Sequence, residues 1–164
     1  MITLEKINNL DKPDFLTIFG NVFEKSEWIS EKVFDLRPFK NFEDLFYKII
    51  GIYENSDKEI ILKILNSRPE LAIEKKLTIN SKNEQKNANL HECTNKEYNE
   101  FKKLNTEYKK KFDFPFIIAV KGKSKNEILS YFRVRIKNSL DEEFLEAKKQ
   151  VKKIATFRLE EIIK

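Results

Sequence analysis

Four Ser/Thr-x-x-Glu segments, three of them followed by apolar residues at three- and four-residue spacing, restrict this chain to a fold built of helices. They are Ser81-Lys82-Asn83-Glu84, Thr94-Asn95-Lys96-Glu97, Ser124-Lys125-Asn126-Glu127 and Ser139-Leu140-Asp141-Glu142. In such a capping box the hydroxyl accepts from the third backbone N–H, and the Glu reaches back to the cap's own N–H. The helical period runs through Tyr98, Phe101, Leu104, Asn105, Tyr108 and Phe112. It runs again through Ile128, Phe132, Arg135 and Ile136, and through Phe144, Val151, Ile154, Arg158 and Ile162. Further helices are expected over 14–24, 26–35, 41–55 and 57–66. Three glycines and four prolines in 164 residues are too few turn formers for an all-β chain. The expectation is an all-α fold, a multi-helix bundle forming a single domain over 1–164, with fourteen phenylalanines to fill its core.

One segment departs from the helical period. Phe114-Pro115-Phe116-Ile117-Ile118-Ala119-Val120 is a continuous apolar run between a proline and Gly122. With no second strand available to pair with it, it reads as an extended connector over 114–120. Several function classes are excluded. A single cysteine, Cys93, cannot close an internal disulfide or build a zinc site, and a single histidine, His91, cannot build a His-rich metal centre. No glycine-rich phosphate loop or membrane-length apolar run is present, and no signal peptide is expected. The net charge of +5 is spread along the chain without a basic, aromatic-laced stripe, so no nucleic-acid or membrane partner is expected. The last residues carry no peroxisomal address, and a cytoplasmic protein is expected. The run Lys109-Lys110-Lys111 reads as a solvated helix end.

Five arginines stand out against a background of lysine: Arg37, Arg68, Arg133, Arg135 and Arg158. Arg158 shares the apolar stripe of the last helix with Val151, Ile154, Ala155 and Ile162. A guanidinium there needs an anionic partner or ligand, because an unpaired buried charge is costly. An internal salt bridge and a ligand site both satisfy that need. Arg135 carries the same two readings. For Ser81 and Glu84 the alternatives are a capping box and a helix N-terminus that receives an anion. Arg68 precedes Pro69-Glu70, an ordinary helix start. His91 lies seven residues beyond Glu84; it reads as a residue near a helix C-terminus, or as one sharing the face of Glu84.

Taken in order, several segments carry a resemblance over about residues 10–163. They are Phe19-Gly20-Asn21-Val22-Phe23-Glu24-Lys25-Ser26-Glu27-Trp28, Arg37-Pro38-Phe39, Pro69-Glu70-Leu71-Ala72 and Ser81-Lys82-Asn83-Glu84-Gln85. Leu104-Asn105-Thr106-Glu107-Tyr108, Lys111-Phe112-Asp113-Phe114-Pro115-Phe116-Ile117-Ile118 and Lys153-Ile154-Ala155-Thr156-Phe157-Arg158-Leu159 follow. In this order and spacing the chain resembles the 2-oxo-4-hydroxy-4-carboxy-5-ureidoimidazoline (OHCU) decarboxylases of uric acid breakdown.

The resemblance implies an all-helical homodimer without cofactor or metal that converts the small anionic ureidoimidazoline OHCU to (S)-allantoin. Glu84 and Arg158 fall on family catalytic positions. Pro69, Ser81, Lys82, Asn83, Gln85, Phe116, Ile117, Ile118, Ala119 and Val120 fall on substrate-contacting ones. At the position of the family's catalytic histidine this chain has Arg68, which stays protonated where histidine exchanges a proton near neutral pH. The glycine common after the Ser-x-x-Glu-Gln segment is replaced by Ala88-Asn89-Leu90. The leading expectation is a decarboxylase. The alternatives are an impaired relative that binds a ureide or acts as a partner protein, and a relative acting on another small carboxylate.

Overall fold

In the computed structural model, residues 1–71, 79–88 and 90–164 are described, with only the backbone described at 79, 87 and 91. The described residues form nine α-helices and one short 3-10 turn, with no strand. They cluster into two compact units, one of residues 1–67 with 152–164, the other of residues 68–151.

The first unit contains α1 (Leu4–Asn9), α2 (Lys12–Phe19), α3 (Glu27–Phe34), α4 (Phe42–Glu54) and α5 (Lys58–Asn66). Asp11, Asn41 and Asp57 cap α2, α4 and α5 by accepting the backbone N–H three residues on. The helix expected over 14–24 is α2, which starts earlier and stops at Phe19. Pro13 suits its first turn. At its end a Cβ on Gly20 would collide with the Leu16 carbonyl. The turn that follows continues through Lys25, which has a positive φ of 50°. Helix α2 packs on α3 and α3 on α4. Phe15, Phe19, Phe23, Ile29, Leu45, Ile49 and Tyr53 are buried among them. The rings of Phe15 and Phe19, and of Phe23 and Tyr53, have centroids 4.7 Å apart.

The second unit contains α6 (Ile79–Asn87), the 3-10 turn Leu90–Glu92, α7 (Asn95–Phe112), α8 (Lys125–Arg135) and the first half of α9 (Leu140–Ile163). The boxes at Thr94 and Ser139 form as the sequence predicts, each with both reciprocal bonds. At Ser124 the hydroxyl accepts the Glu127 N–H but donates to the Glu127 carboxylate. Lys111 does more than solvate a helix end. Its ammonium donates to the Ile136 and Asn138 carbonyls just beyond α8, at 2.9 and 2.8 Å. Helix α7 packs on α8, and Tyr108 sits buried in a cage of Phe112, Phe114, Phe116 and Phe132.

The connector over 114–120 has no regular secondary structure and is buried throughout. A buried stretch without a ladder must find other partners for its peptide groups. Arg135 Nη1 donates to the Ile117 carbonyl at 2.7 Å, Gln150 Oε1 accepts from the Ala119 N–H at 3.0 Å, and Lys123 Nζ donates to the Ala119 carbonyl at 2.7 Å. Phe116 stacks on Phe132, with centroids 3.9 Å apart and rings 8° from parallel.

Candidate active site

One pocket of the second unit is lined, among the described residues, by Arg68, Pro69, Leu71, Ser81, Glu84, Gln85, Phe116, Ile117, Ile118 and Val120. Three pieces of chain build it. The first is the turn after α5, held by Asn105 Nδ2 on the Leu71 carbonyl at 3.0 Å and, at a longer 3.4 Å, by Gln85 Nε2 on the Glu70 carbonyl. The second is α6. The third is the buried connector. The pocket is narrow, with about 310 Å³ of empty space including its open mouth.

Helix α6 explains which of its residues reach the pocket. Ser81, Glu84 and Gln85 have helical spacings of three and four and share one face. Lys82 and Asn83 fall between them and are exposed, off the lining. The capping box expected at Ser81 does not form, because Ser81 lies inside α6, which already runs from Ile79. An N-cap has non-helical backbone angles, so a residue within the helix cannot serve as one. Ser81 is 2% exposed, on the buried side of the helix. The side chain of His91 lies outside the described residues, so neither reading of it is taken further.

Of the connector residues, Phe116, Ile117, Ile118 and Val120 line the pocket. Ala119 does not, and both of its peptide groups are bound to Gln150 and Lys123. Leu71 lines the pocket without having been singled out in the sequence. Its signal was the Pro-Glu-Leu segment, which drew attention to Pro69 alone.

The two arginines on apolar stripes are both held by carboxylates. Arg158, in the first unit, donates through Nη2 to Glu24 at 2.9 Å and through Nη1 to the Asn21 carbonyl at 2.8 Å. Both side chains of that pair are 1% exposed. Arg135, in the second unit, donates through Nε and Nη2 to Glu143 Oε1 at 2.8 and 2.6 Å, and its guanidinium lies over the Phe116 ring. The fully buried Glu143 also accepts from Tyr108 Oη at 2.5 Å and Asn138 Nδ2 at 3.0 Å. The sequence does not single out Glu24 or Glu143; it requires an anion opposite each guanidinium, and Glu24 enters only as one member of the segment 19–28.

Burial, and then the Glu143 carboxylate, push the Tyr108 phenol well above its ordinary value of about 10. The unfolded chain ionises Tyr108 near that ordinary value, while the folded chain keeps it protonated. The raised folded value therefore contributes stability that is present below about pH 10 and lost as the pH rises beyond it. The urea midpoint is expected to fall above about pH 10, and more steeply in the native chain than in Tyr108→Phe. Equal slopes would contradict this.

The OHCU decarboxylase family model matches residues 8–160. The chain belongs to the OHCU decarboxylase family. It is 39% identical over its full length to a "Uric acid degradation bifunctional protein" of Bacillus sp. (strain TB-90), of which it spans 33%. It is 32% identical over 98% of its length to the 2-oxo-4-hydroxy-4-carboxy-5-ureidoimidazoline decarboxylase of Haloferax volcanii, covering 95% of that protein. In fold it is similar to a crystal structure of (S)-allantoin synthase, with a TM-score of 0.78, 24% identity and coverage of 98% of this chain and 54% of that one. The all-α expectation thus agrees with both the helices observed and the family. No helix among the described residues is long and apolar enough to cross a membrane.

Proposed function

We propose that this chain decarboxylates OHCU to (S)-allantoin, acting as a cytoplasmic homodimer. The observation that carries this reading is that one pocket gathers Arg68, Pro69, Ser81, Glu84, Gln85 and the connector residues Phe116, Ile117, Ile118 and Val120. These come from three separated segments, each on a position that the family resemblance implies.

The substrate is a small anion edged with amide-like donors and acceptors. The planar fork of Arg68 suits its carboxylate or a ureido carbonyl. Ser81 and Gln85 offer a hydroxyl and an amide to the polar edges, while Phe116, Ile118 and Val120 supply apolar walls. In the reaction the bond from the ring to the carboxylate breaks, carbon dioxide leaves, and the bonding electron pair passes into the ring. Donors that face the ring as this charge develops lower the barrier. A proton then reaches one face of the ring, and Glu84 is the carboxyl on the lining positioned to relay it from water. Arg158 is the third catalytic position proposed, on the strength of the resemblance.

The test uses purified chain and freshly generated OHCU, followed by circular dichroism for (S)-allantoin. The native chain is expected to exceed the spontaneous rate, and Glu84→Gln to lose on the order of 10²–10⁴ of the enhancement. A native rate equal to the spontaneous one would end the proposal.

A further inference from the structure

A trans peptide is planar, with its N–H and C=O pointing to opposite sides. Fixing one of the two therefore fixes the other. Along the connector, three such groups are held from outside the pocket: the Ile117 carbonyl by Arg135, the Ala119 N–H by Gln150 and the Ala119 carbonyl by Lys123. Their opposite ends are the Ile118 N–H, the Ile118 carbonyl and the Val120 N–H. None of these three has a hydrogen-bond partner among the described residues. Ile118 and Val120 are buried and line the pocket, whereas Ala119, whose own groups are taken, does not. The connector thus presents a donor, an acceptor and a donor, each pointing away from its own anchor.

We propose that Gln150 is a positioning residue that, by accepting the Ala119 N–H, turns the Ile118 carbonyl toward the pocket for a donor N–H of the bound ligand. The role in turnover rests on the reading of this pocket as the decarboxylase site. Gln150 is built for the task. It is 7% exposed, and its own Nε2 donates to Glu146 Oε1 at 2.8 Å. That second bond fixes which end of the amide faces Ala119, because only the oxygen can accept. Arg135 does the same for Ile117, but it also pairs with the buried Glu143. Removing it would confound positioning with folding, so Gln150 is the residue on which the role can be read.

The decisive variants are Gln150→Met, which keeps length but loses the amide oxygen, and the double exchange Gln150→Glu/Glu146→Gln. In the exchange a carboxylate oxygen accepts the Ala119 N–H, and the new amide at 146 donates back, so both bonds survive with their chemistry swapped. With OHCU, Gln150→Met is expected to lose on the order of 10² in kcat, the scale of a misplaced binding group. The exchange is expected to restore most of it. The carbonyl ¹³C resonance of Ile118 should move in Gln150→Met and return in the exchange, and thermal unfolding reports the integrity of each variant. A folded Gln150→Met with native kcat, KM and Ile118 resonance overturns the proposal, as does a folded exchange variant that restores neither rate nor resonance. If Gln150→Met does not fold, the exchange variant decides by the same two readouts. A native chain that leaves OHCU at its spontaneous rate refutes the function proposed above. The Ile118 resonance then decides the orientation of the peptide alone, and an unmoved resonance overturns it.

Discussion

Arg158→Ala is expected to cost about 3–5 kcal/mol of stability, the scale on which a buried ion pair loses one member. The Arg158 guanidinium and the Glu24 carboxylate meet at 2.9 Å, and both side chains are 1% exposed. Removing the arginine strips Glu24 of a charge partner and the Asn21 carbonyl of a donor. On the same helix Ile154, Ala155 and Leu159 are buried and apolar, and the pair itself is all but unexposed, so water has little access to repair the loss. The cost therefore comes from the stranded anion more than from the pair's own net worth. The double variant Arg158→Met/Glu24→Leu separates the two, because replacing a whole buried pair with apolar residues of similar volume is often close to neutral. Urea unfolding of the three chains is expected to show a large drop for Arg158→Ala and a recovery of most of it in the double variant. A loss below about 1 kcal/mol in Arg158→Ala would mean the guanidinium is solvated in solution, as at exposed pairs.

For Arg158 the sequence alone carries half of this arrangement. Its place on an apolar stripe announced a buried guanidinium with an anionic partner. The identity of the partner is not legible, because Glu24 lies 134 residues away and the segment 19–28 that contains it does not set Glu24 apart from its neighbours. Arg135 and Glu143 repeat the case in the second unit. Local signals did well wherever the chemistry is local. The boxes at Thr94 and Ser139 need only residues three apart and formed as expected. The connector was legible because a short apolar run with no pairing strand has few other options. The Ser81 box failed because its two residues satisfy a second rule as well. Residues three apart also share a helix face, and the environment of that face settled which rule applied. Lys82 and Asn83 belong to the expected site as members of a contiguous segment, whereas a helix offers a pocket only the residues three and four apart in such a run. For Ala119, the partners Gln150 and Lys123 bind from outside the pocket, and no local pattern foretells their bonds.

Arg68→His is expected to raise the rate of OHCU decarboxylation, by a factor on the order of 10²–10⁴, the usual contribution of a positioned general acid or base. Arg68 lines the pocket beside Pro69, with Glu84 on the same lining. The frame that would receive a histidine is therefore in place: the Leu71 carbonyl is held by Asn105, and the Glu70 carbonyl by Gln85. What arginine cannot do is exchange a proton near neutral pH, since its guanidinium remains charged. It also binds a carboxylate tightly in the ground state. Decarboxylation disperses that same charge, so tight pairing deepens the starting well more than it lowers the barrier. Histidine would remove the permanent clamp and restore a group that titrates in the working range. The pH profile gives a second reading. The variant should acquire a limb near the histidine value of about 6.5, which the native chain lacks if Glu84 alone handles the proton. A native rate equal to or above that of Arg68→His would overturn this account. Arg68 would then act by stabilising charge in the transition state, and the whole proton transfer would fall to Glu84.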